Sequence, residues 1–242
     1  MKTLFIADAH LKSPQDRNYR ALLDFLAEQL HAVDRLVLLG DIFEFWVGYR
    51  HTVFANYVPL LAMFARYREK GIEICYVEGN HDFHLGPYFR DHLGVKIFPD
   101  GGDIKLDDRE VRIVHGDLAN SSDRGYLILR KVLRSSPLRW LLRIVPPDLA
   151  WRIAVAASRQ SQKSRPQKSR QWPVRNILLD YARGIHREGY DVVVTGHFHQ
   201  PFHIREEAFE LVALGDWISQ FSYATAENGR FELQSYQPAV PA

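Results

Sequence analysis

The sequence predicts an α/β fold of two packed sheets with helices outside and a helical insertion at about residues 120–175. Three observations predict it. Short aliphatic runs such as Leu36-Val37-Leu38-Leu39 read as strands buried on both faces. Stretches with helical periodicity separate the first three of these runs, which is the order of a parallel sheet. Between Asn120 and Tyr190 no strand pattern returns.

Residues 3–7 form the first strand and run into Asp8-Ala9-His10. Residues 18–32 carry Leu22, Leu23, Phe25, Leu26 and Leu30 at helical spacing, as a crossover helix requires. Strand 36–39 ends on Gly40-Asp41, where glycine lets the backbone turn and the carboxylate project beyond the strand's carboxyl end. Helix 54–70 repeats the pattern through Leu60, Leu61, Phe64 and Tyr67 and stops at Gly71. Strand 72–77 leads to Gly79-Asn80-His81-Asp82. A short helix at 87–93 precedes strands near 95–98, 103–106 and 109–114, with Asp107-Asp108 as a hairpin turn, and the last strand delivers His115-Gly116-Asp117.

In the insertion, 124–134, 137–145 and 148–162 read as helices and 161–169 as a polar, basic loop or frayed turn, with Asp148 an N-cap behind Pro146-Pro147. Pro173 opens a helix that closes at Gly189. Residues 191–195 then lead to Gly196-His197-Phe198-His199, and 201–204, 209–213 and 230–236 read as antiparallel strands about the Gly215-Asp216-Trp217 turn.

With 242 residues, 46% apolar and 25% charged, the chain has the composition of an ordinary globular protein. Cys75, the single cysteine, excludes an internal disulfide and reads as a small buried hydrophobe. Asp8 comes too early for a signal peptide's apolar region and no apolar run reaches membrane-spanning length, so a cytoplasmic protein is expected. The net charge of +2 conceals an asymmetry: residues 124–175 hold thirteen Lys or Arg against one acid.

Five strand ends thus bring Asp, His and Asn side chains to one edge of one sheet. A donor set of oxygen and nitrogen without thiolate suits Mn, Fe or Zn better than Ca or a structural zinc. Asp41 has two carboxylate oxygens and can bridge two cations.

The motifs DxH, GDxxE, GNHD, HGD and GHxH, in this order from Asp8 to His199, resemble the calcineurin-like metallophosphoesterases. The resemblance implies a four-layer αββα sandwich of two mixed sheets, one domain over 1–242 with a helical cap. It places one divalent ion at Asp8, His10, Asp41 and His199 and a second at Asp41, Asn80, His115 and His197, with Mn2+ the first choice and Fe or Zn possible. A hydroxide bridging two ions about 3.5–4 Å apart would attack phosphorus in line. His81 would protonate the leaving oxygen while Asp82 holds its imidazole, help worth typically ~10²–10⁴-fold. Glu44 reads as an acid at the start of a helix after Asp41.

A narrower resemblance rests on Asp41-Ile42-Phe43-Glu44-Phe45-Trp46-Val47-Gly48, on Gly79 through Gly86, on His115-Gly116-Asp117 with Asp123 and Tyr126, and on Leu214-Gly215-Asp216-Trp217. These are similar to the UDP-2,3-diacylglucosamine pyrophosphatases, whose best-known branch has Arg where this chain has His81. The similarity implies hydrolysis to UMP and 2,3-diacylglucosamine 1-phosphate, with Asp123, Ser161, Arg165 and Lys168 at the substrate. Leu138, Trp140, Leu141, Leu142, Ile144 and Val145 could receive acyl chains, with Arg139 and Arg143 four apart on one helix face. Such a helix can also rest on the anionic cytoplasmic face of the inner membrane. The expected partners are a lipid-linked UDP-sugar and that surface, with no stable nucleic-acid complex and no obligatory protein partner. The alternatives are a nucleotide or sugar-nucleotide phosphodiesterase without lipid specificity, a nuclease of the same superfamily, and a scaffold that binds without catalysis.

Overall fold

A computed structural model describes residues 1–169 and 172–238, except for the side chains of Arg143 and of 159–169. The first half of the chain comprises β1 (Thr3–Ile6), α1 (Arg17–Gln29), β2 (Arg35–Leu38), α2 (Val58–Glu69), β3 (Glu73–Val77), β4 (Lys96–Phe98), β5 (Gly102–Leu106) and β6 (Arg109–Val114). Then come the helices α3 (Arg124–Leu133), α4 (Ser136–Ile144), α5 (Pro147–Ser169) and α6 (Val174–Arg187). The chain closes with β7 (Val192–Thr195), β8 (Phe202–Arg205), β9 (Glu210–Ala213), β10 (Ser222–Glu227) and β11 (Arg230–Ser235).

Two mixed sheets result, one ordered β11-β10-β1-β2-β3-β4 and the other β5-β6-β7-β9-β8. Alternation along the strands builds three apolar layers around them. Leu4, Ile6, Leu36, Leu38, Ile74 and Tyr76 face α1 and α2. Phe5, Val37, Cys75 and Val77 meet Val111, Ile113, Val192 and Val194 between the sheets. Val193, Leu211 and Ala213 pack under Val174, Leu178 and Ala182 of α6. This is the expected αββα sandwich, and each fully buried aliphatic side chain in it contributes about 1.5–3 kcal/mol.

The sequence reading passed over β10. Its signal is the Asn228-Gly229 pair, both at positive φ (51° and 72°), the turn that joins β10 to β11 as a tight hairpin. The basic loop expected at 161–169 is instead the continuation of α5, because straight-chain Gln, Lys and Arg are good helix formers despite their polarity. Nor is Asp148 a cap. The Pro146 carbonyl accepts from Leu149 and Ala150, and Asp148 lies in the first turn, where its charge suits the helix dipole.

Helices α4 and α5 sit on the loop after β2: Phe45, Val47 and Tyr49 pack with Ala150, Leu142, Val145 and Trp151, and Tyr49 Oη donates to the Val145 carbonyl at 3.0 Å. The opposite faces of α3–α5 expose Ile128 (67%), Leu129, Val132, Trp140 (63%), Leu141, Ile144, Leu149 and Ile153. Among the described residues no helix is long and apolar enough to cross a membrane.

Candidate metal centre

The expectation of one sheet edge is corrected by the topology. Asp8, Asp41 and Asn80 follow β1, β2 and β3 of the six-stranded sheet, whereas His115 and His197 follow β6 and β7 of the other. Strands buried on both faces carry the same aliphatic residues in either sheet, so the runs do not reveal which sheet owns them.

The loops turn tightly. Asp8, His10, Asp41, His197 and His199 all adopt left-handed φ, between 45° and 71°, a conformation that costs a non-glycine residue roughly 1–3 kcal/mol and clusters at functional sites. Gly40 (φ 82°) and Gly79 let two loops meet: a Cβ on Gly40 would lie 2.7 Å from Gly79 Cα and from His115 Nδ1, and one on Gly79 only 2.2 Å from Asp41 Oδ1.

Among the described residues donor atoms converge in three groups, Asp8 with His10 and His199, Asp41 with His115 and His197, and His10 with Glu44 and His81, each within 4.8 Å. Asp41 is fully buried, and its two oxygens do different work. Oδ1 accepts from the backbone N–H of Asn80 and His81, both at 2.8 Å. Oδ2 alone faces His10 Nε2 at 3.7 Å and His115 Nε2 at 3.5 Å. Of the two Asp41 oxygens, Oδ2 is thus the one turned toward both His10 and His115. Asp8 repeats the division: Oδ2 accepts from the His197 N–H at 2.7 Å while Oδ1 stands 3.5 Å from His199 Nε2. Asn80 Oδ1 lies 3.2 Å from His115 Nε2, and His197 Nδ1 lies 3.1 Å from the same atom.

Asp8 Oδ1, Asp41 Oδ2 and His10 Nε2 are buried without a hydrogen-bond partner. Such groups are costly in a protein interior unless a cation or hydrogen bond compensates them, so the donors fit divalent ions. Burial opposes the charge of Asp41, yet His115, His81 and His10 outweigh it and hold the carboxyl well below its usual range. Burial also opposes the His115 charge, and Asp41 overcomes it, raising the imidazole to about 10. Burial lowers His10, keeping it a neutral donor.

A surrounding ring of groups aims these side chains. His115 Nδ1 donates to the Leu39 carbonyl at 2.7 Å, and His199 Nδ1 faces Asp216 at 3.5 Å. Contrary to the expectation from the sequence, Asp82 does not hold the His81 imidazole. The Glu44 carbonyl does, at 2.8 Å from His81 Nδ1. Asp82 points inward instead, accepting from the N–H groups of Asp41, Ile42, Phe43 and Gly79 and from Tyr76 Oη, so one carboxylate ties the loops after β2 and β3 together. Burial, followed by the nearby Asp41 charge, raises its carboxyl to about 7. Glu44 does not begin a helix, because those N–H groups are turned toward Asp82. It lies 2% exposed in the loop, with His10 and His81 close by.

Helix α3 is fastened to the donor loops by contacts that the motifs did not disclose. Tyr126 Oη and Arg130 Nε both donate to Asp117 Oδ2, at 2.5 and 2.6 Å, and Arg134 reaches the Glu78 carboxylate at 2.9 Å and the Gly79 carbonyl at 3.0 Å. Arginine spaced four apart on one face was the available signal. Asp123 caps α3 by accepting from Tyr126 N–H at 3.1 Å. The side chains of Ser161, Arg165 and Lys168, expected at the substrate, lie outside the described residues, as does Arg143.

The family pattern of calcineurin-like phosphoesterases matches residues 1–201. A UDP-2,3-diacylglucosamine hydrolase of Aeromonas salmonicida is 33% identical over 97% of this chain and 93% of its own, and one of Aeromonas hydrophila is 30% identical over 98% and 99%. An archaeal phosphodiesterase structure shares the fold at 14% identity, with a TM-score of 0.51 over 97% of this chain and 99% of that one. Donor cluster, sandwich and sequence agree, and the chain belongs to the calcineurin-like phosphoesterase family of metal-dependent hydrolases.

Proposed function

We propose that the protein hydrolyses the pyrophosphate bond of UDP-2,3-diacylglucosamine, releasing UMP and 2,3-diacylglucosamine 1-phosphate. One observation carries this reading: an apolar helical face bearing cations is attached to two of the donor loops, through α3 at Asp117 and through α5 at Glu44. A diacylated sugar nucleotide needs apolar cover for its chains and positive charge for its diphosphate. Exposed Ile128, Leu129, Trp140 and Leu141 offer the cover, and Arg124, Lys131 and Arg139 the charge. The similarity to the two Aeromonas hydrolases supports the same substrate.

Asp8, His10, Asp41 and His199 would hold one divalent ion and Asp41, Asn80, His115 and His197 another, Mn2+ ahead of Fe or Zn. Bound there, such ions lower the pKa of water and neutralise charge on a phosphoryl oxygen. The protein's own groups supply the rest. Leu39 and Asp216 orient His115 and His199, and Asp82 keeps two loops in register. With Nδ1 engaged by the Glu44 carbonyl, His81 presents Nε2 as the atom that gives a proton to the leaving oxygen.

The decisive assay compares UMP release from UDP-2,3-diacylglucosamine and from unacylated UDP-glucosamine. The diacylated substrate is expected to react far faster, and equal rates would end the lipid assignment. Adding back Mn2+, Fe2+ or Zn2+ after chelation ranks the ions.

Trp140, Leu141 and Ile144, beside Arg139, would rest on the anionic cytoplasmic face of the inner membrane, where each nearby cation adds about 1 kcal/mol. The protein should sediment with phosphatidylglycerol vesicles at low salt and be released by Trp140→Ser. Absence from the pellet at low salt removes the peripheral placement.

A further inference from the structure

We propose that Glu44 is a positioning residue that couples the helical segment to the donor cluster, so that the seating of α5 sets the orientation of His10 and His81. This rests on the dinuclear reading above. Glu44 is 2% exposed, and both its carboxylate and its backbone carbonyl are engaged. Ser158 Oγ on α5 donates to Oε1, across 114 residues of sequence. Oε2 stands 3.7 Å from His10 Nδ1 and 3.7 Å from Lys12 Nζ. The carbonyl accepts from His81 Nδ1 at 2.8 Å. The His10 and His81 rings meet edge to face, 4.6 Å between centroids.

A buried carboxylate is costly unless its partners are close and well aimed. Lys12 is a loose partner, with its side chain 48% exposed. Ser158 therefore holds the carboxylate through Oε1, while Oε2 faces His10 and Lys12 without a hydrogen bond to either. With Nδ1 turned toward Oε2, a ring proton held there would leave the Nε2 lone pair directed at the side of Asp41 Oδ2, 3.7 Å away. The next residue, Phe45, belongs to the apolar seat under Ala150 and Trp151. Helix α5 is thus held at two successive residues of one loop, by packing at Phe45 and by a hydroxyl at Glu44. Withdrawing Ser158 frees Oε1 and lets the carboxylate swing toward Lys12, away from His10.

The test is a double-mutant cycle of Glu44→Gln and Ser158→Ala on the full chain, read by Mn2+ affinity in a competition titration and by hydrogen exchange across 150–158. Glu44→Gln should weaken Mn2+ binding about 10–100-fold, the usual loss when a ligand's outer partner is removed. Ser158→Ala should weaken it severalfold, and both variants should speed exchange in α5. Coupling predicts that the double variant matches Glu44→Gln alone. Additive losses, or a Ser158→Ala variant with wild-type Mn2+ affinity, would overturn the proposal. Wild-type protein that binds no Mn2+ would overturn the dinuclear reading together with it, whereas a failed substrate assay would leave the coupling standing.

Discussion

Asp41→Ala should cut turnover of the diacylated substrate by about 10³-fold or more, the several kcal/mol expected when charge stabilisation at a dinuclear centre is lost. Bound Mn2+ should fall with it. The reason is geometric: Asp41 Oδ2 is the one oxygen turned toward both His10 and His115, while Oδ1 fixes the Asn80 and His81 backbone. Truncation would remove the proposed shared donor and leave two partly buried N–H groups without this acceptor. His81→Ala supplies the contrast. It should keep its metal and still lose roughly 10²–10⁴-fold in turnover, because its proposed task is a proton and not an ion. Metal analysis by mass spectrometry beside steady-state kinetics separates the two; Asp41→Ala with full metal and near-normal turnover would discard the dinuclear reading.

Asp82→Ala should be the most destabilising of these changes, by about 3–5 kcal/mol, although Asp82 donates nothing to the cluster. Four backbone N–H groups and the Tyr76 hydroxyl converge on this one carboxylate. Each buried donor left unpaired costs about 1–3 kcal/mol, with partial relaxation bringing the sum below the simple total. Against a typical stability of about 5–15 kcal/mol, this is a large share. Asp82→Asn keeps a carbonyl acceptor and should lose less. Urea unfolding midpoints measure both, and an alanine variant with the wild-type midpoint would show that the tie is dispensable.

The site was legible in the sequence wherever a donor follows a buried strand, since an aliphatic run ending on Asp or His, directly or after one small residue, has few structural uses. Asp8, Asp41, His115 and His197 stood out on that ground. The roles of Asp82 and Glu44 did not, because both depend on which backbone atoms a loop turns inward, and no spacing records that. Asp82 sits beside His81 in sequence yet faces three N–H groups from the end of another strand and one from its own loop. The division into two sheets was hidden for a related reason: Val37 and Val193 are equally buried on strands of different sheets. Strand β10 was masked by Ala224 and Ala226, small residues with weak strand preference that fit because Phe231 of its neighbour fills the space beside them.

The sheet order carries a consequence for synthesis on the ribosome. Strand β1 pairs with β2 on one side and with β10 on the other, so the first four strand residues made remain half-paired until nearly the whole polypeptide has emerged. Through that interval a row of unsatisfied amides and carbonyls on Thr3–Ile6 is open to a neighbouring nascent chain. Any truncation before Ser222 makes that exposure permanent and leaves a sticky border in the middle of what should be a continuous sheet.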